Sequence, residues 1–169
     1  VPIVFLNGKA CVLPVTVALY GLGSHDAFFV SRDQCYHTQL MRVLCWFENH
    51  AVCLGEGIGW PNEQDLPVLG LKAPWFCGLT QGFALSLFIR AYQLDPSRHW
   101  STLAHKTWLS YHVPVEQGGF RRNLCDGVIY EEYPGPELDC VFNGMCHALI
   151  GLWEGWRSGV VSEAERDFK

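Results

Sequence analysis

Charge is scarce in this chain. Only 17% of its 169 residues are Asp, Glu, Lys or Arg, against 49% hydrophobic and 14% aromatic residues. That balance excludes a disordered linker and calls for a large buried core in one domain's worth of chain, with any excess apolar surface covered by further chain or by a homo-oligomer. Basic residues are fewer than acidic ones, 12 against 17, and the formal net charge is -5. Nucleic acids and anionic membranes attract proteins through Lys and Arg fields, so neither is expected as a partner. The apolar opening "VPIVFL" (1–6) is too short and wrongly flanked for a signal peptide or a spanning helix, so no membrane insertion is expected. A start at Val1 without Met reads as an internal segment of a longer or processed chain.

Paired motifs are missing as well. Eight cysteines occur without a CxxC pair or regular spacing, which removes the zinc-ribbon and thioredoxin-like readings and leaves buried thiols on helices as the expectation. The histidines are scattered, and His147 has no second ligand at metal spacing, so no metal site is expected. Gly55, Gly57 and Gly59 lie in a loop with no Lys-Ser/Thr after them, unlike a phosphate-binding loop, and no cofactor is expected.

Helical signals are plentiful and come in pairs. Pro14 stands where a first-turn proline belongs, and Asp33 is placed to cap a helix in which Tyr36, Leu40, Val43, Leu44 and Phe47 recur at helical spacing. After a Gly/Pro-rich loop (54–75), "LTQGFALSLFIRAYQL" (79–94) is apolar almost all round, as in a helix buried on both sides. Asp95-Pro96 reads as the start of the next helix, which stops at Pro114. Between 118 and 133 the period changes, and an Asp126-Gly127 turn joins two short extended runs in a β-hairpin. A further helix is expected after Pro136, with Leu138, Val141, Phe142, Met145, Leu149, Leu152 and Trp156 on its apolar face and Asp139, Asn143, His147 and Glu154 opposite. The amphipathic start "VSEAERDFK" (161–169) opens one more helix. Mainly all-α, with three antiparallel helix pairs of which the third is incomplete, the pattern predicts an (α/α) toroid carrying one short hairpin.

The chemistry-bearing residues concentrate in "YEEYPGPELDCVFNG" (130–144). Glu131 and Glu132 suggest a glycosidase pair, but neighbours on a strand point to opposite sides, so at most one faces a site. The same alternation groups Tyr130 with Glu132 and Glu131 with Tyr133, unless Pro134 re-aims the last residues. Trp60, Trp75, Phe76, Tyr130 and Tyr133 cluster around loops, where aromatic rings stack on sugars, although some must belong to the core. Arg121 and Arg122 are placed either to meet acidic sugars or simply to solubilise a hairpin.

This stretch resembles the C-terminal catalytic domain of the D-glucuronyl C5-epimerase family, in which Tyr-Glu-Glu-Tyr-Pro is followed by Asn-Gly at the same distance. "PVTVALYGL" (14–22), "GWP" (59–61) and "LKAPWFCGLTQGFALSLFIRAY" (71–92) resemble further family segments in the same order. Gly135-Pro136 departs from the family's Thr-Thr-Pro, and Gly82-Phe83 follows Gln81 where a second Gln is usual. A downstream family motif with an arginine and a partner tyrosine is not among these residues, so the chain by itself is expected to be inactive.

The resemblance implies an isomerase that converts glucuronate to iduronate in an acidic polysaccharide such as a heparan sulfate precursor, by abstracting and returning the C5 proton. It implies Tyr133 as an acid/base and Glu132, Asn143 and Gln81 as substrate-contacting residues, without a cofactor, in a secretory (Golgi) lumen or cell envelope. A toroid polysaccharide lyase or glycoside hydrolase, and a non-catalytic carbohydrate-binding remnant, are the alternatives.

Overall fold

Pro14 opens the first long helix and Asp33 caps the second. In the computed structural model, which describes residues 1–6 and 8–169, helix α1 spans Pro14–Ser31 with the proline in its first turn. The backbone turns at Arg32, and the Asp33 side chain accepts the Cys35 N–H at 2.8 Å to start α2, Gln34–Asn49. This short connection folds the two helices back on each other. Helix α2 buries Leu40, Val43, Leu44 and Phe47, while Tyr36, expected on the same stripe, is exposed.

Helix α3, Gly78–Leu94, is buried on nearly every side, as its uniformly apolar sequence predicts. It packs against α1, α5 (Phe142–Ser158) and α4 (Trp100–Leu109). Helix α4 starts later than expected. Instead of opening it, Asp95 closes the end of α3 through its N–H to Ala91, and its carboxylate accepts the Ser97 N–H in a local turn. The chain leaves α4 through a 3-10 turn, Ser110–His112, just ahead of Pro114. The last helix, α6, is Glu165–Phe168.

Helix α5 begins at Phe142 rather than just after Pro136, and it buries a different face from the one its large residues suggest. Gly144, Ala148, Gly151, Leu152 and Gly155 are buried, whereas Leu138 and Phe142 are 45% and 73% exposed. The cause is backbone contact with α3. A Cβ at Gly82 would collide with the His147 carbonyl oxygen, and one at Gly151 would lie 2.7 Å from the Gly82 carbonyl oxygen. Only hydrogen side chains allow so close a crossing.

Three two-stranded antiparallel hairpins frame the helices among the described residues, where the sequence suggests one. They are β1 (Val4–Leu6) with β2 (Lys9–Cys11), β3 (Val52–Leu54) with β4 (Gly57–Gly59), and β5 (Arg121–Leu124) with β6 (Gly127–Tyr130). The middle one lies at the edge of the segment read as an irregular loop. In the last, Leu124 pairs with Gly127, so the two-residue turn is Cys125-Asp126, one position earlier than expected.

Two aromatic groups form the centre of the core. Trp60, Phe47, Phe88 and Trp100 pack in one, and Trp60 Nε1 donates to the Phe47 carbonyl at 2.7 Å. Tyr111, Phe120 and Tyr130 make the other. Trp60 and Tyr130 are therefore core residues and drop out of the candidate sugar platforms. The expectation of buried thiols also fails: only Cys77 is buried, five of the eight cysteines are exposed, and all are unbridged. No helix among the described residues is long and apolar enough to cross a membrane.

Candidate functional site

After β6 the chain bends at Glu132 and Tyr133, ahead of Pro134, and three contacts fix this run. The Glu131 N–H donates to the Phe120 carbonyl and its own carbonyl accepts the Gly78 N–H, both at 2.8 Å, tying the run to the start of α3. The fully buried Glu131 carboxylate pairs with the Arg122 guanidinium, which also donates to the Gly135 carbonyl at 2.7 Å. That pairing raises the Arg122 pKa above its ordinary value and commits both side chains to structure.

Glu132, at the bend, instead lines a cavity of about 840 Å³ at the N-terminal ends of α1 and α3. Lys9 on β2, the loop Asn62–Leu66, Trp75, Cys77, Thr80, Glu132 and Tyr133 contribute to its wall. The loop is braced by paired backbone hydrogen bonds between Asn62 and Trp75, by Trp75 Nε1 donating to the Gln64 carbonyl at 2.8 Å, and by Asp65 accepting the Ala73 N–H at 2.9 Å. A wall so braced needs little ordering when a ligand enters.

Glu132 lies against the first turn of α5, where a Cβ on Gly144 would come within 2.5 Å of its Cβ and Oε2. Its Oε2 is buried with no hydrogen-bond partner in the protein. A carboxylate oxygen so placed is costly to leave unmatched. The bend at Glu132 and Tyr133 lets Tyr133 share this cavity, its ring 5.8 Å from that of Trp75. Burial first, and then the adjacent Glu132 carboxylate, push the Tyr133 phenol up to about 12, so it carries its proton at neutral pH. Cys77, also on the wall, is pushed up to about 11 by burial, which makes it a thiol rather than a reactive thiolate.

Glu132 and Tyr133 are thus brought together, while the other two expected residues stand elsewhere. Gln81 is completely buried behind the wall, donating to the Ile58 carbonyl at 3.0 Å and to Ser110 Oγ at 2.7 Å, as a strut between β4 and the end of α4. Asn143 is exposed in the first turn of α5 and does not line the cavity. Its neighbour Gly144 is the residue in contact with Glu132. Thr80, not among the expected residues, lies on the wall with a buried hydroxyl close to the Cys77 thiol. The signal for it was a lone polar residue beside Gln81 in an otherwise apolar helix start. Among the described residues no three His, Cys, Asp or Glu side chains gather to hold a metal ion.

The sequence profile described as D-glucuronyl C5-epimerase C-terminus matches residues 55–169. A D-glucuronyl C5-epimerase of Caenorhabditis elegans is 29% identical over 100 residues, which make up 57% of this chain and 16% of that protein. The matched profile contains Trp75, Thr80, Glu132 and Tyr133, whereas the β1–β2 hairpin, α1 and α2 precede it.

Proposed function

The chain belongs to the D-glucuronyl C5-epimerase C-terminal family, and on that premise we propose that it acts on glucuronate units of an acidic polysaccharide, inverting C5 to give iduronate. The observation that carries this reading is a proton-holding phenol, Tyr133, beside a carboxylate with one unmatched oxygen, Glu132, in one braced cavity.

The reaction needs no redox step. The C5–H bond breaks, its proton passes to a base, and the electron pair delocalises into the C6 carboxylate as an enolate; a proton then returns to C5 from the opposite face. Such a centre needs an acid/base on each side of the ring and a group to neutralise the growing charge. Glu132 is assigned as a substrate-contacting carboxylate beside Tyr133, on the same side of the ring. Tyr133 is assigned as the proton donor, because the surroundings that raise its pKa keep it protonated. Lys9 is the cation of the cavity wall and meets the substrate carboxylate. The tertiary arrangement supports the finer architectural reading too: α1, α3 and α5 pack in series with α2 and α4 flanking them, as the inner and outer helices of an (α/α) toroid would.

The test is solvent exchange in the native protein. Incubated in D₂O with a glucuronate–N-acetylglucosamine polymer, it is expected to place deuterium at C5 of the uronate, read by NMR. Tyr133→Phe is expected to lower that exchange by about 10²–10⁴-fold, the usual loss when a positioned acid/base is removed. Polymer binding should be nearly retained, since one hydroxyl and little contact area are lost. Formation of an unsaturated uronate would assign a lyase instead, and chain shortening a hydrolase. Binding without exchange would leave a carbohydrate-binding remnant.

A further inference from the structure

Trp75 lines two cavities, and the segment that carries Tyr133 continues as the wall of the second. On one side lies the Glu132–Tyr133 cavity. On the other is a cavity of about 420 Å³ whose walls include Lys72, Phe76, Arg122, Pro134 and Pro136. We propose that this second cavity is a subsite for the next uronate of the same polymer chain, one N-acetylglucosamine away from the reacting one, in which Lys72 holds its carboxylate. The proposal rests on the polysaccharide reading above.

Charge sets the direction of the groove. The cavity around Tyr133 is flanked by two others, one across Trp75 and one that shares Glu63 and runs beneath Trp46 and Trp60. The latter has no Lys or Arg in its wall, so an anionic chain gains nothing by entering it. The former carries Lys72, which is exposed and takes part in none of the ion pairs among the described residues. Arg122 lies on the same wall, but its guanidinium is occupied by Glu131 and the Gly135 carbonyl, leaving Lys72 as the uncommitted cation. Glu116, also exposed on this wall, disfavours an anion next to itself.

Shape fits the same ligand. Phe76, Pro134 and Pro136 present flat apolar surfaces of the kind that C–H faces of a pyranose cover, and Trp75 offers its ring at the junction. The wall is built rather than loose. Arg122 clamps Gly135, and a Cβ at Gly135 would stand 2.6 Å from the Leu69 carbonyl oxygen, so the 134–136 turn is seated directly on the loop before it.

Size-defined glucuronate–N-acetylglucosamine oligosaccharides provide the probe, titrated calorimetrically into the protein beside chemically carboxyl-reduced oligosaccharides of equal length. The expected result is an affinity that rises from disaccharide to tetrasaccharide. Lys72→Gln should shrink that length-dependent gain by about two- to fivefold, the worth of one exposed ion pair, and Lys72→Arg should restore it. Moderate salt should erase the same gain, and reduced oligosaccharides should not respond to the substitution. An unchanged gain in Lys72→Gln, or an equal loss with reduced oligosaccharides, overturns the subsite while C5 exchange leaves the functional reading standing. Failure of every oligosaccharide to bind the folded wild-type protein overturns both.

Discussion

Glu131 and Glu132 are adjacent carboxylates with opposite fates, and the difference comes from what each meets. Glu131 finds Arg122 and is neutralised within the fold; Glu132 lines the cavity and sets its unmatched Oε2 against the first turn of α5. Gly144 is the residue that permits this approach. Gly144→Ala places a methyl group against the Glu132 carboxylate, and because the near neighbours include its Cβ, a rotation of the side chain alone does not relieve the clash. The expected outcome is a loss of C5 exchange with the fold retained, at a stability cost of about 1–3 kcal/mol from overpacking. Kinetics and chemical denaturation on the same sample check it; full activity in the variant would show that Glu132 does not depend on this contact.

Among the helical elements, the α3–α5 crossing is the tightest joint described above. Gly82 and Gly151 let the two backbones touch, and the same crossing brings the start of α5 to Glu132 and the start of α3 to the cavity wall. Gly82→Ala should therefore act on both stability and site. Alanine favours a helix over glycine by about 1 kcal/mol, but here the added methyl group meets the backbone of residues 147–148, which has no rotamer to change. A net destabilisation of about 1–3 kcal/mol is expected, measured as a lowered denaturation midpoint. A stabilised variant would mean that the helices separate easily and that the glycines are not what holds the spacing.

For the whole molecule, the aromatic interior dictates how the fold responds to alkali. Burial raises Tyr111 and Tyr130 above their ordinary value and brings Tyr133 to about 12 from 10.0. A phenol whose folded pKa lies above its unfolded one favours the folded state while both forms are protonated. That contribution is full below about pH 10 and is lost as pH rises through the folded values. Stability is thus expected to be flat with respect to these groups near neutrality and to fall from about pH 10 through 12 and beyond, with phenolate absorbance rising together with unfolding. Tyr133→Phe should remove part of the slope up to pH 12. Ionisation of all tyrosines near 10, with native structure intact, would show that the rings are not shielded.

Much of this architecture was already written in local pattern. Helical spacing at Leu40, Val43, Leu44 and Phe47, the Asp33 cap and the Pro14 start mark α1 and α2; uniform apolarity marks α3 as central; and the Tyr-Glu-Glu-Tyr-Pro run marks the candidate site and the family. These features depend on residues a few positions apart, whose side chains and backbone hydrogen bonds meet within one turn or one strand. What tertiary structure alone decided is which of two neighbours faces the cavity and which becomes a support. Gln81 turned into a strut because its partners, Ile58 and Ser110, lie 23 and 29 residues away, leaving Thr80 on the wall. Helix α5 buried its glycines beside Leu152 while Phe142 stayed exposed, because backbone contact with α3 shifted the buried face off the apolar stripe, and hydrophobic periodicity registers side chains but not the space their absence creates.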